Sequence, residues 1–177
     1  MHNIMLQLSQ IYYDRKILSL RTGGPIGQAL SPVINPNNLK IEGWYATAIK
    51  ERESYILPAG DVRDIISKGI VVDDHTALTP TDDLVRLKPV IDIGFEVIGK
   101  TVKNDRKRTV GKVADYAVDD ASLFIQKIYV TQSLLKNFSG RQLIIDRSQI
   151  IEITDKNIIV KSADERIGVT ERARQTA

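Results

Sequence analysis

The side chains that could do chemistry are few. His75 follows Asp73 and Asp74, but a metal site needs three or more ligands in set geometry, and this trio reads as a solvated acidic turn. The only other histidine, His2, sits at a terminus that reads as frayed, and cysteine is absent. No Ser-His-Asp or Cys-His set assembles, and no disulfide or thiolate site can form. Asp82-Asp83 and Asp119-Asp120 are adjacent pairs, which in extended chain point to opposite faces and cannot share acid–base work. Asp119-Asp120 reads as a turn between strands. Thr22-Gly23-Gly24-Pro25-Ile26-Gly27 lacks the Lys and Ser/Thr of a phosphate loop and leads into a strand, so it reads as a hairpin tip. The expectation is a non-catalytic protein with no metal and no organic cofactor.

Charge is the more informative signal. The net charge is only +3, yet Lys100, Lys103, Arg106, Lys107, Arg108 and Lys112 crowd one stretch against the single Asp105. The stretch from Asp61 to Asp92 leans acidic, and such a bipolar chain can steer a charged partner or associate with itself. Lys103, Arg106, Lys107 and Arg108 are therefore candidate partner-binding residues, for RNA phosphates, an acidic protein surface or anionic lipid. Aromatics do not interleave with these cations, as they do on single-stranded RNA platforms. Trp44, the only tryptophan, is the other candidate: an exposed interface anchor, or a core residue, since its counterpart described below is Ile128.

The elements that position these residues come twice. Gly27 and Gly111 lie 84 positions apart, as do Leu39 and Leu123. Arg15 to Ser19 lines up with Gly99 to Lys103, and Trp44-Tyr45 with Ile128-Tyr129. Further on, Ile70-Val71-Val72 and Ile158-Ile159-Val160 are 88 apart, which places four extra residues in the second copy at the Asn- and Gly-bearing stretch Lys136 to Arg141. Each copy is written in short β-favouring runs bounded by Gly, Pro, Asn or Asp. Gly60 to Ile66 and Arg147 to Ile153 read as a single helical turn or a further strand. The alternation of apolar residues slips phase near Gly43 and again near Lys127, which marks a β-bulge in both copies and points to small closed barrels.

Gly99-Lys100-x-Val102, a variable loop, and Val110-Gly111-Lys112-Val113-x-Asp115-Tyr116-x-Val118-Asp119 resemble the signature of the PRC-barrel family, named for the cytoplasmic barrel of the photosynthetic reaction centre H subunit. The first copy keeps Ile26-Gly27 and Ile34-Asn35-Pro36 but has Gln28 to Pro32 in place of a Lys-Val-x-Asp run. The resemblance implies a prokaryotic, non-catalytic barrel like those of the reaction-centre subunit, the ribosome maturation factor and certain adaptor proteins, and it carries over no catalytic residue.

The sequence thus predicts an all-β chain of two tandem PRC-like β-barrels from an internal duplication: 1–80, a connector at 81–90 with a short helix over Asp82 to Lys88 ended by Pro89, and 91–163, with a mobile tail at 164–177. The expected function is an adaptor or assembly module with a protein partner. The alternative is an RNA- or ribosome-associated assembly factor using loop 103–108, and a homo-oligomer is compatible with either. No apolar run reaches the ~20 residues of a membrane helix, and no signal peptide is evident, so the expected location is cytoplasmic.

Overall fold

The computed structural model describes residues 5–132 and 142–162. Within them the chain forms β1 (Leu6–Leu8), β2 (Arg15–Ser19), β3 (Pro25–Asn35), β4 (Lys40–Ala48), β5 (Tyr55–Pro58), β6 (Val62–Ile66), β7 (Gly69–Val72), β8 (Thr79–Pro80), α1 (Lys88–Ile93), β9 (Thr101–Asn104), β10 (Thr109–Asp119), β11 (Ile125–Thr131), β12 (Gln142–Asp146), β13 (Ile150–Ile153) and β14 (Asn157–Val160). The protein is all-β. The insert at Lys136 to Arg141 and the tail 164–177 lie outside the described residues.

The strands make two sheets with one order. The first runs β6-β7-β2-β3-β4-β5-β8 and the second β13-β14-β9-β10-β11-β12, with β1 added to β10. In each, one pair is parallel, β2 with β7 and β9 with β14. Burial alternates in step as well. Gly27 and Ala29 face inward between exposed Gln28 and Leu30, just as Gly111 and Val113 do between exposed Lys112 and Ala114. The register slips where the sequence pattern slips: Glu42 is the extra residue between Ile41 and Gly43, and Gln126 the extra residue between Ile125 and Lys127. Bulges of this kind bend a strand and sharpen its twist.

Strand pairing closes neither sheet. The path is nevertheless strongly curled. β5 and β6 lie on opposite flanks of the first sheet, yet only the 3₁₀ turn Ala59–Asp61 separates them. Three residues span about 10 Å at most, so the sheet must curl until these strands lie close. Arg147–Gln149 does the same between β12 and β13, with Asp146 and Gln149 forming a capping box. Both segments are thus a helical turn followed by a strand.

Pairing also shifts one alignment by a residue. Ile17 pairs with Gly27 and Ile70, and Val102 with Gly111 and Ile158, so Val102, not Thr101, is the partner of Ile17 in this comparison. Gly27 belongs to a strand rather than to the hairpin tip. The connector differs too. Lys88–Ile93 is helical with Pro89 in its first turn, while Thr81–Asp83 is a 3₁₀ turn. A proline there removes only an N–H that has no helical partner, so Pro89 starts the helix instead of ending it.

The halves meet on equivalent atoms. The Ile41 amide donates to the Leu123 carbonyl and the Ile125 amide to the Leu39 carbonyl, both at 2.9 Å. Leu39 and Leu123 both adopt positive φ, 52° and 59°. This is the pattern of a two-fold, self-complementary contact. The segments leading into each half cross over: β1 pairs with β10, whereas α1 packs on β3 and its Ile91 carbonyl accepts the Tyr45 hydroxyl at 3.2 Å. One apolar core runs through both sheets.

Candidate interaction surface

The hairpin tip joining β9 to β10 is built by Asn104. Its amide donates to the Arg108 carbonyl, its carbonyl accepts from Lys107, and its side-chain oxygen accepts the Arg108 amide, each at 2.9 Å. This clamp holds Asp105, Arg106, Lys107 and Arg108 outward, all exposed, above half-buried Lys103. Arg106, Lys107 and Arg108 make no ion pair among the described residues. The Ser162 hydroxyl donates to Asp105 and, as the leading cause, holds that carboxyl below its usual range. The structure therefore brings Arg106, Lys107 and Arg108 onto one tip, with Lys103 in the strand beneath and the single local carboxylate already engaged.

Lys107 shows what this arrangement costs. Its φ is 61°, in the left-handed region, and the corresponding residue of the first half is Gly23, at φ 72°. Glycine adopts that conformation freely, whereas an L side chain there costs about 1 kcal/mol or more. The second half places a lysine where the backbone favours glycine.

Trp44 is not on this surface. It is fully buried, its ring stacks on Tyr12 at 6.5 Å between centroids, and its Nε1–H donates to the Tyr12 carbonyl at 3.1 Å. It is a core residue, which corrects the reading of it as a partner anchor. Burial decides this, because Leu57 and the N-terminal segment cover the position that alternation alone left ambiguous.

No family model and no curated protein matches the chain. What the molecule can do must be read from its own geometry. His75 opens a 3₁₀ turn capped by Asp74, whose carboxylate accepts the Thr76 amide. The Thr76 hydroxyl, and after it that amide, hold Asp74 below its usual pKa, while Arg63 does the same for Asp73. Among the described residues no cluster of three or more His, Cys, Asp or Glu is placed to hold a metal ion, and no helix is long and apolar enough to cross a membrane. Asp119 ends β10 and opens the turn that follows, its carbonyl accepting the Leu123 amide at 2.8 Å and its carboxylate the Ser122 hydroxyl at 2.5 Å.

Two features escaped the sequence. Asn104 as the clamp of the tip had a signal, since an Asn ahead of a turn favours side-chain bonds to backbone. The second is a cavity of about 550 Å³ near the first half's hairpin tip, lined by Arg15, Lys16 and Lys68. Lys68 lies about 50 residues from the other two, so no local pattern could have joined them.

Proposed function

We propose that the chain is a non-catalytic adaptor or assembly module that grips an acidic surface of a protein partner with the tip Lys103–Arg108. The observation that carries this is Lys107: a cation held at positive φ, where the matching tip of the other half has glycine. Folding gains nothing from that choice, and clustered like charges add a further small cost. In the same reading the two sheets are copies of one PRC-like barrel. Their shared strand order, their paired bulges and the curl joining β5 to β6 support it.

The test is Arg106→Glu, Lys107→Glu and Arg108→Glu together, read by affinity capture against the wild type at several salt concentrations. Loss of the captured protein, with unfolding stability unchanged, supports the proposal. Captured nucleic acid, with affinity falling steeply as salt rises, moves the reading to RNA. Capture that survives the triple reversal and ignores salt removes the tip from the function.

A further inference from the structure

The two halves treat one sheet edge differently. In the first, β8 pairs antiparallel on the outer edge of β5 with Thr79 opposite Ile56, and Ile56 is fully buried. Strand pairing equates Ile56 with Ile144, because they sit opposite Tyr45 and Tyr129. Among the described residues no strand pairs on the outer edge of β12, and Ile144 is 53% exposed.

The other open edges are guarded. β8 is two residues long and ends in Pro80, and β1 is three residues long. β6 and β13 each carry a register shift, with Arg63 and Asp64 in one and Glu152 in the other. Short strands, prolines, bulges and charges are the usual means of keeping an edge from pairing with another chain. The centre of β12 has none of them. Its five residues pair with β11 without a shift, Leu143-Ile144-Ile145 is uncharged, and the strand holds neither proline nor lysine. Unpaired backbone N–H and C=O groups beside an exposed isoleucine form a template for a further strand.

The second half's own sequence does not repeat the first half's cover. Ala77 and Leu78, which lead into β8, are buried. At the spacing of 88 that relates Ile56 to Ile144, the chain has Glu165 and Arg166 in their places, and charged groups resist burial. The interior of the second half has adjusted as well. Leu78 Cδ1 comes within 3.3 Å of where a Cβ on Gly27 would lie, whereas at Gly111 the close approach is made by Val130 Cγ1, at 2.9 Å. Val130 stands where the first half has Ala46. The second half thus fills from within a place that the cover fills in the first.

We propose that the outer edge of β12 receives an antiparallel strand from a protein partner, an extended, proline-free segment that sets a β-branched or aromatic side chain against Ile144. Main-chain hydrogen bonds supply the affinity, and the side chain opposite Ile144 supplies the selectivity. Antiparallel is the sense in which β8 meets β5. This surface holds no cation, is separate from the tip Lys103–Arg108 and does not depend on that tip's role.

The experiment is an amide NMR titration of the whole chain at constant ionic strength with the synthetic peptide acetyl-Lys-Thr-Val-Thr-Val-Thr-Lys-amide. A second peptide, with both valines replaced by proline, is the control. Saturable shifts centred on Leu143, Ile144 and Ile145 are expected, with slower hydrogen exchange at the edge-facing amides of β12, and none with the proline peptide. Binding should weaken at least fivefold in Ile144→Asp, although the peptide's lysines would be drawn to the new carboxylate, and should persist when Arg106, Lys107 and Arg108 are reversed to Glu. Ile144 is exposed, so the variant keeps the fold, checked by its unchanged spectrum elsewhere. Shifts that do not saturate, or equal binding by the proline peptide or by the Ile144→Asp chain, would overturn the proposal. So would edge amides of β12 already protected in the free chain: protection lost in Ile167→Asp/Val169→Asp assigns the edge to the chain's own C-terminal segment, and protection lost on dilution assigns it to a second copy.

Discussion

Replacing Lys107 with glycine should make the protein more stable and a poorer binder. At φ 61° the lysine backbone bears a left-handed cost of about 1–2 kcal/mol that glycine does not. Glycine gives back about 0.4–1 kcal/mol through the greater freedom of its unfolded chain. The side chain is exposed and its amide bond to the Asn104 carbonyl is backbone, so no packing or hydrogen bond is lost. The net expectation is a gain of roughly 0.5–1 kcal/mol, with a few tenths more from relieved repulsion between neighbouring cations. Gly23→Lys, at the matching position of the other half, should lose about as much. Urea unfolding followed by the fluorescence of buried Trp44 resolves changes of this size. A Lys107→Gly protein less stable than the wild type by more than about 0.5 kcal/mol refutes the reasoning, because the tip would then depend on the lysine for folding.

Gly111→Ala should destabilise by about 2–4 kcal/mol, because its Cβ would lie 2.2 Å from the Thr131 carbonyl oxygen, and Gly27→Ala should do likewise against Thr47. Gly60→Ala, with open space around it, is the control, and near-neutral values at both strand glycines would show that the β3–β4 and β10–β11 approaches are not tight. Tyr12→Phe should be neutral or stabilising by about 1 kcal/mol, since the hydroxyl is buried with no partner; a loss of that size in thermal or urea unfolding would reveal a partner. Burial chiefly raises the pKa of Tyr12, Tyr13, Tyr45 and Tyr116 above 10. These phenols are neutral in both states below pH 10; above it the unfolded chain ionises first, so their stabilisation is fully present below 10 and is lost as pH rises through the folded values. Tyr116 alone should steepen that loss by up to ~1.4 kcal/mol per pH unit, and phenolate absorbance rising together with unfolding is the expected signature. Phenolate assigned to Tyr12 or Tyr116 near pH 10 in folded protein would contradict it.

Local information reached the strands and stopped at their closure. The phase slip at Gly43 and Lys127 was readable because bulge and alternation are both short-range, and the register shifts fall there. The Asp119 turn was readable for the same reason. Pro89 misled because proline both starts and ends helices, and only the chain direction into Phe95, which is buried in the shared core, decides between them. The crossing of β1 onto β10 had no signal at all. Leu6-Gln7-Leu8 alternates well enough to pair with any free edge, and which edge is free depends on the whole arrangement. Trp44 was ambiguous until the Tyr12 carbonyl supplied its Nε1–H with an acceptor. The candidate tip was legible as a run of charge, whereas the left-handed backbone beneath it was not.

The shared strand order of the two halves separates what folding needs from what it does not. Gly27 faces the Thr47 carbonyl as Gly111 faces that of Thr131, and Leu39 and Leu123 accept equivalent bonds across the junction. Arg15 and Lys100 tie down the same turn. Features present in both halves at matching positions are sufficiently explained by the fold. Those present in one alone are not, and the exposed cations of the second hairpin tip are among them. The first tip keeps its glycines, with Gly23 at φ 72°. The second gives up the glycine at its left-handed position and gains exposed cations. Each tip lies at the end of its β2–β3 or β9–β10 hairpin opposite the junction of the halves, where the backbone can vary without disturbing the common core. Two halves that share their strand order and the bonds of their junction differ in the charge of the second tip, and it is there that binding should be sought.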